Sequence, residues 1–354
     1  MFLSVCVPHE NLFNSIAVDI VTQNITRSYD FLPQDRVKYY QIFDHGHVVH
    51  VIVMSKQLIV AGIELGGTGC KVGISNEKGE IEERFTIETI TPDKTLTLLY
   101  NWLSEKQKQY NFKALGIASF GPIDLHQNSD TYGYITQTPK PHWQYTNVVG
   151  AFKKLNIPIA FDTDVNAPAM TETRLAGGRI TTVVYITIGT GVGIGVCVNG
   201  RSIHGLLHPE GGHLKCLKFP GDNYEGNCPF HQSCVEGLIN SKAIADRLQI
   251  EPSKLSTVPD DNPIWNLQAY YLAQLCAAIV CLISAEKIFI GGGLAKRTVL
   301  FTLVRKHVQQ ILNNYIQAPE IIDHIDEYIV PSSLGEDIGV ISAFDLAQEV
   351  LKKE

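Results

Sequence analysis

The chain lacks a surplus of basic residues: 29 lysines and arginines stand against 36 aspartates and glutamates, a formal net charge of −7. Nucleic acids and anionic membranes are held by cationic excess, so neither is expected as a general partner, and a small-molecule ligand fits better. Cysteine is sparse, eight in 354 residues. With no secretory leader expected, that points to a reducing compartment, the cytoplasm, and away from a disulfide scaffold. Long apolar runs are scarce too. The most apolar helical stretch, residues 272–283 (LAQLCAAIVCLI), falls short of a membrane span, which takes roughly 20 residues. It runs straight into a strand and a glycine cluster, and a buried helix is expected there.

Hydrophobic residues nevertheless make up 45% of the chain. A chain of 354 residues exceeds what one core usually supports, so two lobes with a cleft between them are the natural expectation. Residues 1–57 read differently from the rest, with scattered aromatics and no helical period. In the run DHGHVVH, a strand would put His45 and His47 on one face and Asp44 and His50 on the other, which does not gather the imidazoles around a metal. Met54-Ser55-Lys56 resembles a natural chain start. Mass spectrometry of the native N-terminus tests that expectation, and an intact segment 1–53 refutes it.

From residue 58 the pattern becomes regular. LIVAGIEL leads into Gly66-Gly67-Thr68, then a strand KVGISN, a turn at Lys78-Gly79, a strand IEERFTIET, an amphipathic helix near 94–109 and the strand ALGIASF ending at Gly121-Pro122. A helix near 148–155 and the strand IPIAFDTD follow. Another set then begins at TTVVYITIGTGVGIGVCVNG, so a half-domain recurs.

Three glycine clusters end apolar strands: Gly66-Gly67-Thr68-Gly69, Gly189-Thr190-Gly191-Val192-Gly193 and Gly291-Gly292-Gly293. Without a Cβ, backbone N–H groups can approach phosphate oxygens, and threonine adds a hydroxyl. One such turn would be an ordinary hairpin; three favour a nucleotide. Neither a Walker loop, which ends in Gly-Lys-Ser/Thr, nor a dinucleotide fingerprint fits, because GTGVGIG sits between strands and opens no helix.

The strand IPIAFDTD delivers Asp162 and Asp164 to one face, followed by Asn166. Phosphoryl transfer to an alcohol needs a carboxylate in such a place, although a strand-end aspartate is as readily a helix N-cap. Farther on, His213, Cys228, His231 and Cys234 form H-x14-C-x2-H-x2-C in a loop poor in large apolar residues, with Cys216 a competing donor. Four protein ligands would make a closed, structural metal site.

Glu64-Leu65-Gly66-Gly67-Thr68, Ala118-Ser119-Phe120-Gly121-Pro122-Ile123-Asp124, Asp164-Val165-Asn166-Ala167, Gly189-Thr190-Gly191-Val192-Gly193 and the Cys/His loop occur in the order found in ROK-family sugar kinases, which the chain resembles over residues 58–350. The segment TYGYITQTPKPHW is similar to the fructokinase branch. The resemblance implies an α/β, two-lobed actin-like ATPase (ribonuclease H-like) fold, and ATP-dependent phosphorylation of a hexose, D-fructose to fructose 6-phosphate. It divides the chain into an extension of little order (1–57), an N-terminal lobe (58–172, completed by a helix at about 337–354) and a C-terminal lobe (173–336) with a zinc loop at 208–236. It assigns Gly66, Gly67, Thr68, Gly189, Thr190 and Gly191 to the ATP phosphates, Gly291, Gly292 and Gly293 to the adenosine side, and Asp164 to the base. Asn166, Glu210, His213 and Glu236 go to the sugar, and His213, Cys228, His231 and Cys234 to structural Zn²⁺. Glu64 goes to the water shell of Mg²⁺, where many members have aspartate.

There are departures. Gly69 stands where many members have lysine, with Lys71 two positions on, and INSKAI replaces the common ASGPAI. ATP and a hexose are the implied partners, with self-association as a homodimer. Kinases for glucose, mannose or N-acetylmannosamine remain open. So does a sugar-sensing transcription regulator of the same family, although residues 1–57 show neither a basic face nor paired helical periods.

Overall fold

The structure is a computed structural model that describes the backbone of residues 37–44 and 47–54 and the chain from 57 to 353. β1 (Val37–Asp44) and β2 (His47–Met54) form an antiparallel hairpin in which His47 pairs with Asp44 and His50 with Gln41. Regular structure therefore occurs inside the segment read as an extension of little order. His45 and residues 1–36 lie outside the described residues, so the three-imidazole reading is answered only for His47 and His50.

Two five-stranded sheets follow. The first holds β3 (Ala61–Leu65), β4 (Gly69–Ser75), β5 (Ile81–Glu88), β6 (Leu115–Ser119) and β9 (Ile159–Thr163), in the order β5-β4-β3-β6-β9. β7 (Tyr134–Ile135) and β8 (Thr146–Asn147) make a small separate ribbon. The second sheet holds β10 (Thr182–Ile188), β11 (Val192–Val198), β12 (Arg201–Ser202), β13 (Lys287–Gly291) and β14 (Ile329–Pro331), in the order β12-β11-β10-β13-β14.

Numbered from the start of its own half, each sheet runs third, second, first, fourth, fifth. The first three strands are antiparallel, and the fourth and fifth join parallel to the first. Position in the sheet explains the strand sequences. Every residue of β6 is buried, as a central parallel strand requires, whereas β5 alternates half-buried with exposed, as an edge strand does. Each parallel connection needs a crossover, and helices supply it.

The helix Ile264–Ile283 fills the core of the second half, with Trp265, Tyr271, Leu272, Leu275 and Cys276 fully enclosed. It corrects the expected length. The helix has 20 residues and passes, by length and composition alone, for a membrane span, but 56% of its apolar 18-residue window is buried inside the protein. Asn266 and Gln268 interrupt the apolar run in sequence without interrupting the helix. The helix Ile338–Lys353 returns to the first sheet. There a Cβ on Gly116 of β6 would lie 1.8 Å from the Ala343 carbonyl oxygen, so only glycine allows so close a crossing.

Candidate active site

Both glycine hairpins occupy equivalent places, between the first and second strand of each sheet. In the first, Gly66 N–H donates to Gly69 O (3.1 Å), and Thr89 supports the turn from behind, its hydroxyl donating to Gly66 O (2.6 Å) and its N–H to Thr68 O (3.0 Å). In the second, Gly189 N–H donates to Gly191 O (2.9 Å), while the N–H and hydroxyl of Ser241 donate to Gly189 O (2.7 and 2.9 Å). The tips meet. Thr68 Oγ1 lies 3.1 Å from Thr190 Oγ1 across 122 residues of chain. The third cluster joins them: an added Cβ on Gly189 would lie 3.8 Å from Gly293 N, and Gly292 has φ +87° with Ile188 O 2.4 Å from where its Cβ would be.

Asp164 stands immediately after β9, its N–H donating to Ser119 O at the end of β6 (2.9 Å). Burial, reinforced by the nearby Glu64 carboxylate, pushes its pKa up to about 7. Glu64 on β3 faces its register partner Lys71 on β4, with Nζ 3.0 Å from Oε2. That oxygen is enclosed and has the lysine's charge beside it but no hydrogen bond. Its carboxylate rests where a side chain on Gly339 would be. A buried carboxylate with a spare lone pair suits the hydration shell of Mg²⁺.

Asn166, assigned above to the sugar, is wholly buried, with Nδ2 donating to Asp162 Oδ1 (2.9 Å) and Oδ1 accepting from Val196 N–H (3.3 Å). Its role is to pin the Asp164 turn to β11, where Val165 O would lie 1.9 Å from a Cβ on Gly195. Asp162, read as structural, is saturated. It accepts from Thr163 N–H, Asn166 and the Ser202 hydroxyl, and its Oδ2 sits 3.0 Å from His204 Nε2.

Two more carboxylates border the crevice. Glu210 keeps 38% of its side chain exposed, and partial desolvation, with Glu236 and Asp164 nearby, pushes it up to about 7. Glu236 Oε2 accepts from Val192 N–H in the second glycine turn (3.0 Å).

His213, Cys228, His231 and Cys234 gather their donor atoms within 4.8 Å of one another. Cys228 Sγ lies 3.7 Å from His213 Nδ1 and 3.6 Å from His231 Nδ1, and Cys234 Sγ lies 3.6 Å from His213 Nδ1. Tetrahedral Zn²⁺ with ordinary Zn–S and Zn–N bonds separates sulfur from nitrogen by about 3.5 Å, so the residues fit the ion. Cys216 stays outside the cluster, its thiol pushed up to about 11 by burial. His213 looks both ways, with Nδ1 toward the thiols and Nε2 3.9 Å from Glu210 Oε2.

Sequence reading missed one feature entirely. The segment from Ser202 to Glu210 belongs to the second half, yet it is fastened to the first half by His204 on Asp162 and by His208 Nε2, which accepts from Ile123 N–H (3.1 Å). No local pattern signals contacts of that span.

A model described as the ROK family matches residues 60–350. The chain is 38% identical over 295 residues to a fructokinase of Lactococcus lactis subsp. cremoris, covering 82% of this chain and 98% of that one. It is 35% identical over 297 residues to a fructokinase of Pediococcus pentosaceus, covering 83% and 99%. Among solved structures it is similar to a glucokinase from Streptomyces griseus in complex with glucose and AMPPNP, with a TM-score of 0.65, 20% identity, and coverage of 82% of this chain and 99% of that one. At that identity the likeness speaks for the two-lobed fold.

Proposed function

The chain belongs to the ROK family, and on that premise we propose that it transfers the γ-phosphoryl group of ATP to the 6-hydroxyl of a hexose, D-fructose before others. One observation carries the reading. Two glycine hairpins from different halves touch at Thr68 and Thr190, and with them goes a half-buried carboxylate, Asp164, whose pKa is pushed up to about 7.

In this reading the backbone N–H groups of Gly66–Thr68 and Gly189–Gly191 cradle the phosphates, Gly291–Gly293 border the adenosine, and Glu64 receives the water shell of the Mg²⁺ that arrives with ATP. Asp164 aims the sugar hydroxyl and takes its proton. The hydroxyl oxygen forms the new bond to the γ-phosphorus as the bond to the β–γ bridging oxygen breaks, and ADP leaves with that electron pair. Glu210 and Glu236, with the segment of His213, receive sugar hydroxyls. Asn166 holds the catalytic turn in place. Zn²⁺, when bound by His213, Cys228, His231 and Cys234, supplies order to a loop with little core of its own. Cytoplasmic location and a homodimer belong to the same reading.

The fructokinase relatives support fructose over glucose, mannose or N-acetylmannosamine. ATP turnover across that hexose panel, with zinc-replete protein, tests it. The expected order places fructose first in kcat/KM. Equal or better use of another hexose reassigns the substrate, and no turnover with any of them overturns the kinase reading.

A further inference from the structure

The segment between Ser202 and Glu210 crosses from the second half of the molecule to the first, beside the crevice. Three histidine contacts fasten it: His204 Nε2 to Asp162 Oδ2 (3.0 Å), His208 Nε2 to Ile123 N–H (3.1 Å) and His126 Nε2 to Leu206 O (3.3 Å). Of these, His208 is the enclosed one, 7% exposed, with its ring against Gly121, where a Cβ would lie 3.1 Å from Cε1. Nothing in the proposed chemistry uses it.

Its geometry fixes its protonation. Ile123 N–H is a donor that cannot turn away, so Nε2 must offer a lone pair, and the ring proton must then sit on Nδ1. Nδ1 is 3.5 Å from Glu210 Oε1. The neutral ring thus accepts from Ile123 at one end and stands against Glu210 at the other.

We propose that His208 is a positioning residue for hexose affinity: as a neutral acceptor from Ile123 it sets the place of Glu210 in the crevice, and protonation at Nε2 releases that hold. The inference rests on the reading of Glu210 as a hexose contact. An imidazolium would turn a second N–H toward Ile123 N–H, two donors face to face, and the segment would have to move. Burial opposes that charge and lowers the ring's pKa, with a backbone contact at Pro209 working the other way. The titratable groups facing the ring are Glu210 and His204 on its own segment and Asp162 on β9, while the 121–123 segment presents backbone.

The experiment compares hexose KM and kcat from pH 5 to 8.5 for wild type, His208→Gln, His208→Leu and Glu210→Gln, all zinc-replete, with ATP KM as the check that each variant is folded. Glutamine can accept from Ile123 N–H without titrating. His208→Gln should keep most hexose affinity at pH 8 and lose the rise in hexose KM that wild type shows at the acid end of the range, below the pH at which an ordinary histidine, with its pKa of about 6.5, titrates. His208→Leu, which strands Ile123 N–H, should raise hexose KM about tenfold at every pH, with kcat changed far less. A wild-type acid limb in His208→Gln, or a wild-type hexose KM in His208→Leu, overturns the proposal and leaves Glu210 untouched. An unchanged hexose KM in Glu210→Gln overturns the reading beneath it as well.

Discussion

Replacing Asp164 with asparagine should damage activity and improve stability, and the second effect should grow with pH. A carboxylate moved from its ordinary 3.8 to about 7 carries a folded-state ionisation penalty, worth at most about 4 kcal/mol. The sign follows from where the proton resides. Below about pH 4 the group is protonated whether folded or unfolded, and no penalty exists. Between pH 4 and 7 the unfolded chain ionises freely while the folded one resists, so stability falls. Above about 7 the full penalty applies. Asparagine keeps the shape and never ionises, so Asp164→Asn should match wild type near pH 4 and exceed it at pH 8. At roughly 2 °C per kcal/mol for a chain of this size, Tm should rise by up to about 8 °C. Taking the difference between the two proteins at each pH, in buffer free of nucleotide and Mg²⁺, cancels every other titrating group. The kinetic arm runs opposite. Loss of a general base should lower kcat by about 10²–10⁴-fold, and wild-type kcat should climb as pH rises through about 7. A Tm difference that ignores pH refutes the buried-carboxylate reasoning, and a mutant retaining more than about a tenth of wild-type turnover refutes the base assignment.

On the proposed zinc site, a chelator should expose the 208–236 loop to proteolysis and abolish hexose binding, since His213 is both a candidate ligand and a neighbour of Glu210; full activity in protein shown to be metal-free would contradict this. Asn166→Ala strands Val196 N–H and one of the hydrogen bonds of Asp162, so chemical denaturation should show a loss of about 2–3 kcal/mol, with turnover falling through misplacement of Asp164. Gly195→Ala would put a Cβ 1.9 Å from Val165 O and should prevent accumulation of folded protein, whereas Gly205→Ala, with nothing within 4 Å, should be silent in the same expression and melting assay.

What the sequence revealed depended on how local each signal was. Gly66–Thr68, Gly189–Gly193 and Asp164 could be read because each sits at a strand end, and strand ends are marked by apolar runs meeting glycine or charge. The Cys/His cluster could be read because three donors lie within seven residues of one another. Asn166 attracted notice because a polar residue beside a candidate base looks like a substrate contact. Only the tertiary approach of Val196 shows its amide already used. His208 was invisible, since its partner Ile123 is 85 residues away and offers only a backbone N–H. Ser241 illustrates a departure with a physical function. INSKAI looked like a loss of the family's small residues, yet its serine clamps Gly189 O.

The two halves share their strand order, and they share the first hairpin, which is where the phosphate-holding glycines lie. A duplicated fold facing itself would deliver that much by symmetry, two equivalent hairpins meeting at a common crevice. It would not by itself make a kinase, which needs one base on one side and one sugar on the other. The asymmetry lies where the halves differ. The fifth strand of the first sheet ends at Thr163 and is followed by Asp164, while that of the second ends at Pro331 and is followed by Ser332. After its third strand, the first half passes directly to a helix at Pro92. The second half instead inserts residues 203–234, carrying His208, Glu210 and all four side chains of the Cys/His cluster, before its helix at Val235. On the proposed reading, ATP handling follows from what was duplicated, and the choice of hexose from what was added to one copy.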